Sequence, residues 1–158
     1  MTDLHGLLAV LRETHTLTLA TIDADGSPRA TPVYFAVGPD PDQVSSGNLV
    51  WPFFLLFLSD PDAPHGQNLS RDPRAAVALY PAETDWRSLR GVQMKGHVDH
   101  LSGDKAAQAL GDYRREIAIS PELEAAVMAS ALYRFLPRWA RLIDNRLGFG
   151  HKQEWTWP

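Results

Sequence analysis

The feature that most constrains this chain is the run Leu49-Val50-Trp51-Pro52-Phe53-Phe54-Leu55-Leu56-Phe57-Leu58-Ser59. A strand with one wet face alternates apolar and polar residues, and this run does not. It is too short to cross a bilayer as a helix, and Pro52 would interrupt one. Val50 to Ser59 is therefore expected to be a strand buried on both sides, in a barrel wall or in a seam between two copies. A chain of 158 residues can build the core such a strand needs, as a single domain over 1–158.

The surrounding segments read mostly as strands. Thr16 to Ile22 alternates and is rich in β-branched residues, Asp23-Ala24-Asp25-Gly26-Ser27-Pro28 is a turn cluster, and Arg29 to Val37 returns as the partner strand. Arg74 to Tyr80 is a strand of small and apolar residues. Gly91 to Leu101 puts Val92, Met94, Gly96 and Val98 on one side and Gln93, Lys95, His97 and Asp99 on the other. Leu4, Leu7, Leu8 and Leu11 define a helical face that Asp3 can cap, and Pro64 to Arg71 and Asp104 to Glu116 are further helices. Ser120-Pro121-Glu122 predicts the start of another helix, carrying Val127, Met128, Ala131, Leu132 and Phe135. Trp139 to Ile143 and Glu154 to Trp157 close the chain as strands around a Gly-punctuated turn. Strands joined as hairpins make an antiparallel sheet, and closing that sheet removes its edges. The expected class is mainly β with peripheral helices, a small antiparallel barrel.

Composition narrows the function. The formal charge of −4 argues against a general nucleic-acid binder. With no cysteine, thiol catalysis and thiolate metal sites are excluded. His97 and His100, three apart on a strand, face opposite ways, and the other histidines are scattered, so no metal site is expected. The start Met-Thr-Asp-Leu-His-Gly has no basic leader before an apolar core, which predicts a cytoplasmic protein without a membrane partner. No Ser-His-Asp set, paired-carboxylate motif or Gly-rich nucleotide loop is present. Any chemistry would belong to a cofactor. Ser59, His65 and Asn68 bracket the start of a short helix, where free N–H groups suit an anion such as phosphate. Pro32, in Thr31-Pro32-Val33, donates nothing to a ladder and marks an edge or bulge where a ligand can approach. Arg90 is either an ion-pair residue or a phosphate ligand.

The order of these segments resembles the pyridoxamine 5′-phosphate oxidase-like flavin-binding split barrels. The resemblance is carried by the hairpin from Thr18 to Tyr34, by the apolar strand ending in Ser59, by Asn68-Leu69 before Pro73-Arg74, and by Arg90-Gly91-Val92-Gln93 before Gly96. The tail from Ile143 to Trp155, with the His65-Gly66 pair, is similar to a poorly characterised bacterial branch of that superfamily. The resemblance implies an antiparallel split β-barrel and a homodimer with two FMN molecules at the subunit interface. It assigns Arg29, Thr31 and Val33 on one strand face, Ser59 at a strand end, and His65 and Asn68 at the helix to the phosphate and ring edge. It places Gln93 near the flavin, and brings Lys152 and Trp155 in from the partner subunit. It implies an oxidoreductase acting on an unidentified small molecule. The alternatives are a non-catalytic flavin-binding or interaction protein and a barrel that takes a deazaflavin or haem. Where many members carry a Ser-Arg-Lys or Arg-His pattern, this chain has Ala63-Pro64-His65, so His65 is expected to anchor phosphate as a cation. The core pattern looks complete by Ile143, which predicts a tail that covers a ligand rather than filling the barrel.

Overall fold

The computed structural model describes residues 4–38 and 53–158. Helix α1 (His5–Glu13) precedes a hairpin of β1 (Thr16–Ile22) and β2 (Pro28–Tyr34), then β3 (Ala36–Gly38) and β4 (Phe54–Ser59). After α2 (Pro64–Arg71) come β5 (Arg74–Leu79), β6 (Arg90–Leu101), α3 (Gly103–Glu116), α4 (Glu124–Ala129), β7 (Ala131–Asp144) and β8 (Lys152–Thr156). The strands form one antiparallel sheet in the order β2-β1-β5-β6-β7-β4-β3, with β8 added to β7. Its two ends, β2 and β3, are separated in the chain only by Phe35, so one bent strand closes the path. At the bend Phe35 is buried and its N–H donates to the His15 carbonyl at 3.1 Å.

The split in the barrel arises at β7. One edge of this strand pairs with β6 from Leu132 to Asp144. The other edge is shared, with β4 taking Ala131 to Phe135 and β8 taking Trp139 to Ile143. A bulge between Lys95 and Gly96 falls opposite Pro137 and Trp139. Proline costs no ladder bond at such a site. A side chain at Gly96 would run into the Leu136 carbonyl, so glycine is required where the two backbones close.

The burial of β4 explains its composition. Leu55 and Phe57 point into the barrel, while Leu56 points outward into a second cluster with Leu132, Ala109 and Tyr113, under α3. Both faces are covered by the chain itself, so the strand is a barrel wall and its burial needs no second copy. Val50, Trp51 and Pro52 lie outside the described residues, as do Asp3 and most of the loop from Gly38 to Asn48.

Two expectations are corrected. The helix expected from Ser120 ends early: a 3-10 turn (Pro121–Leu123) and the short α4 stop at Ala129, and Ala131, Leu132 and Phe135 belong to β7. Val127, Met128, Ala131, Leu132 and Phe135 share a helical spacing, but residues 132–137 also alternate, with Leu132, Arg134 and Leu136 on one face. Pairing on both edges of β7 decides for strand. The second correction concerns the tail. β8 pairs with β7 of its own chain, and Trp155, only 6% exposed, joins the barrel core. Trp157 packs edge-on against buried Phe53, with ring centres 5.9 Å apart. The tail is therefore part of the core.

Trp155→Ala should cost about 3–5 kcal/mol of unfolding free energy, the usual loss for a buried Trp. Removing residues 149–158 should abolish cooperative unfolding in urea. A truncated chain with an unchanged midpoint would contradict the core assignment.

Candidate functional site

The sheet divides the expected site residues into two groups. Directly paired residues on neighbouring strands share a face. Arg29 pairs with Thr21, Thr31 with Leu19 and Val33 with Leu17, all on the side of the buried Leu17 and Leu19. Trp155 pairs with buried Ala140 on that same inner side. Gln93 pairs with Ala78 and Arg141, and Lys152 with Ile143, on the outer face. Arg29, Ser59, His65 and Asn68 gather at one mouth of the barrel, whereas Gln93 and Lys152 lie across the sheet from them.

At the mouth, α2 is fastened to the β1–β2 hairpin by Asn68. Its amide nitrogen donates to Thr21 Oγ1 at 3.0 Å and to Asp23 Oδ1 at 2.7 Å, and its oxygen accepts from Arg71 Nη2 at 2.5 Å. Asn68 is buried and spends its amide inside the protein, so it positions its neighbours rather than presenting a free donor. Arg29 meets Asp23 with two bonds, Nε to Oδ1 at 2.7 Å and Nη2 to Oδ2 at 2.9 Å. The hydrogen bond from Arg29, helped by that from Asn68, holds the Asp23 carboxyl below the usual carboxylate range. Ser59 Oγ is hydrogen-bonded to His65 Nε2. Gly66 lets α2 sit against the Asp60 and Pro61 carbonyls, which a Cβ would strike at 2.8 and 2.6 Å.

His65 is buried, and burial first, then the charge of Arg29, pushes its pKa below the ordinary value of 6.5. This corrects the expectation of a cationic anchor: near neutral pH the imidazole is uncharged. The cations of this mouth are Arg29 and Arg71. Asp23 and Arg71 were missed in the sequence because a turn aspartate and a helix-end arginine look like ordinary surface residues. Arg90, left open, is an ion-pair residue, with Nη1 and Nη2 donating to Glu13 at 3.0 and 2.5 Å.

The outer face is different in character. Ala20, Ala76 and Ala78 form the floor of two adjoining grooves of about 400 and 510 Å³. Trp139 and Lys95 stand at their border, Lys95 lying 5.5 Å from the indole centre and Arg141 5.1 Å. Trp139 is half-buried on this face. Lys152 is exposed at its margin. Trp86 and Phe149, on two loops, are exposed and meet edge-on at 5.6 Å. Among the described residues no group of three or more His, Asp or Glu could hold a metal ion. No described helix is long and apolar enough to cross a membrane.

A closed path of antiparallel strands, split where β4 and β8 share one edge of β7, defines a split-barrel protein. The family model for pyridoxamine 5′-phosphate oxidase matches residues 5–143, and the chain belongs to that family. A UPF0306 protein of Klebsiella pneumoniae is 31% identical over 116 residues, which cover 73% of this chain and 69% of the relative. The structure of a haem-binding protein from Mycobacterium smegmatis superposes with a TM-score of 0.71 at 22% identity, over 93% of this chain and 55% of the other. A FAD-binding protein from Mesorhizobium loti superposes with a TM-score of 0.65 at 17% identity, over 89% and 92%. These two likenesses establish the fold.

Because the folded pKa of His65 lies below its unfolded value, the unfolded chain binds the extra proton first. The stability this group contributes is present above about pH 6.5 and is lost as pH falls through the lower folded pKa. NMR titration should show His65 ionising below the ordinary range. In His65→Gln the acid-side loss of stability should be smaller than in the wild type.

Proposed function

We propose that the protein is an FMN-dependent oxidoreductase that holds its flavin between two copies of the chain and acts on a small molecule. The observation that carries this reading is the division of polar groups by the sheet. The mouth offers donors for a phosphate, and the outer face offers an apolar floor with Gln93 and Trp139 beside it. These groups lie on opposite sides of one sheet, so a ligand touching both draws one from each copy. The donor set fits a phosphate. Arg29 and Arg71 supply guanidinium N–H groups, Ser59 and His65 supply neutral polar atoms, and Asn68 fixes their positions. Asp23 occupies two of the Arg29 donors and offsets its charge. When bound, the flavin would supply hydride or electron transfer; the chain binds, orients and shields it.

A second reading, haem, is favoured by one observation, the likeness in fold to the mycobacterial haem-binding protein. It needs a histidine nitrogen free to ligate iron. His65 and His97 both have Nε2 engaged, by Ser59 and by Arg138. The guanidinium donors at the mouth, which suit a phosphate, support flavin as the first choice.

The purified protein should show flavin absorption that is released on denaturation, and light scattering should give a dimer. A Soret band, or a colourless monomer that binds no added FMN, would overturn the reading. Asp23→Asn frees the Arg29 donors and should tighten FMN several-fold without changing riboflavin affinity. Arg29→Gln should weaken FMN at least tenfold, as loss of a charge-assisted bond of about 1.5–3 kcal/mol implies.

A further inference from the structure

Helix α2 has two flanks. Asn68 ties one of them to the β1–β2 hairpin, while Leu69 and Ser70 line a pocket against the end of β6 and the start of β7. The pocket measures about 120 Å³, with Pro61 and Leu69 on the helix side and Val98, His100 and Tyr133 on the sheet side. At about 30 Å³ per water it has room for about four waters, or for a chain of about five heavy atoms. Packing does not explain Tyr133. It is only 4% exposed, stacked on Phe57 at 5.2 Å and tilted against His100 at 5.4 Å. Its hydroxyl has no hydrogen-bond partner among the described residues, whereas a buried phenol normally finds one. Burial, then the charges of Asp60 and Asp62, pushes its pKa above the ordinary value of 10, so the O–H stays intact. Those two carboxylates flank Pro61. The Asp62 N–H donates to Asp60 Oδ1 at 2.8 Å, and neither carboxylate has a cation partner among the described residues.

We infer that this pocket binds a small organic cation, an alkylammonium ion held by the Tyr133 hydroxyl and by the charge of Asp60 and Asp62, with its carbons against Pro61, Leu69 and Val98. An ammonium N–H gives the buried phenol oxygen the partner it lacks inside the protein. An anion would be repelled by the two carboxylates, and a neutral ligand would gain nothing from them. The cation is organic because, among the described residues, no three acidic or histidine side chains gather for a metal ion, and because Pro61, Leu69 and Val98 offer apolar contact. The Ser70 hydroxyl already donates to the Gln67 carbonyl at 2.7 Å, which leaves the Tyr133 hydroxyl as the open one in the pocket. The site is independent of the flavin reading, since it uses none of the donors assigned to phosphate.

The test titrates the full chain, followed by NMR, with n-butylammonium, 1-butanol and butyrate, which are similar in size and differ in charge. Butylammonium should bind saturably and weaken with added salt. It should shift the ring resonances of Tyr133 and His100 and leave those of His151, beside Asp144 at the other end of β7, in place. Butanol and butyrate should bind at least about tenfold more weakly, as loss of a charge-assisted hydrogen bond implies. Tyr133→Phe should lower butylammonium affinity about tenfold or more yet leave the urea midpoint unchanged, because the hydroxyl it removes bonds to no described residue. Asp60→Asn with Asp62→Asn keeps an oxygen for the Asp62 N–H; it should lower the affinity as much and remove the salt dependence. Absence of saturable butylammonium binding would overturn the inference, as would equal binding to wild type and Tyr133→Phe, equal binding of butanol, or shifts that centre on His151. A lowered urea midpoint in Tyr133→Phe would show the hydroxyl engaged inside the protein and would overturn it too.

Discussion

The structure depends on the pairing capacity of β7. Fourteen residues long, this strand offers one edge to β6 and divides the other between β4 and β8. The division makes the barrel split instead of simply closed, and it fixes where each candidate surface lies. Its first half holds β4, whose end carries Ser59 to the barrel mouth. Its second half holds Trp139 and Arg141 on the outer face and anchors the tail behind them. Weakening this strand would therefore disturb both surfaces together. The bulge opposite Pro137 lets so long a strand curve, because a local break in register adds twist where a regular ladder resists it.

Asn68 and Asp23 act at the mouth as β7 acts in the sheet. Ser59 and His65 are six residues apart in the chain, and their meeting is local. Arg29 and Arg71 are distant, and they come together because one buried amide satisfies Thr21, Asp23 and Arg71 at once. A buried amide left without these partners would cost more than any one of its bonds contributes, so the three are held as a set. The electrostatic result is a mouth where Asp23 offsets one of the two guanidinium charges. A phosphate there would compete with Asp23 for Arg29 instead of meeting a bare cation. On the proposed flavin reading, affinity at this mouth would be tuned by a carboxylate that the hairpin turn supplies.

Much of the fold was legible because hydrophobic period carries strand faces well. The alternation of Gly91 to Leu101 assigned Val92, Met94 and Val98 to the core and Gln93 and Lys95 to the surface, as the structure has them. The apolar run pointed to a strand with two buried faces, but not to which neighbour covers the second. That neighbour is α3, some fifty residues later, and its register against Leu56 has no local signature. The misread helix at Ala131 to Phe135 and the misread tail share a cause. In both, side-chain type fits two backbone states, and the deciding energy comes from partners remote in the chain. Site residues followed the same rule. Ser59, His65 and Asn68 were visible as a local cluster, whereas the roles of Asp23, Arg71, Arg138 and Trp139 exist only once the strands are paired.

The outer face raises a question of composition that packing alone does not answer. Ala30, Ala20, Ala76 and Ala78 occupy consecutive outward positions across β2, β1 and β5. Alanine is a poor strand former, and on an exposed sheet surface a β-branched residue shields the backbone and pairs better across strands. Four such choices in one patch carry a cost in local stability that the barrel interior does not recover, since these side chains never reach it. Small side chains do keep a sheet surface low, so that a flat body can approach the backbone closely. Next to them stand the long side chains Gln93, Lys95, Trp139 and Arg141, which rise around the low area instead of filling it. A surface that is low in the middle and aromatic and basic at its border is shaped for contact. The stability given up by the alanines is explained if that contact is what the face is for.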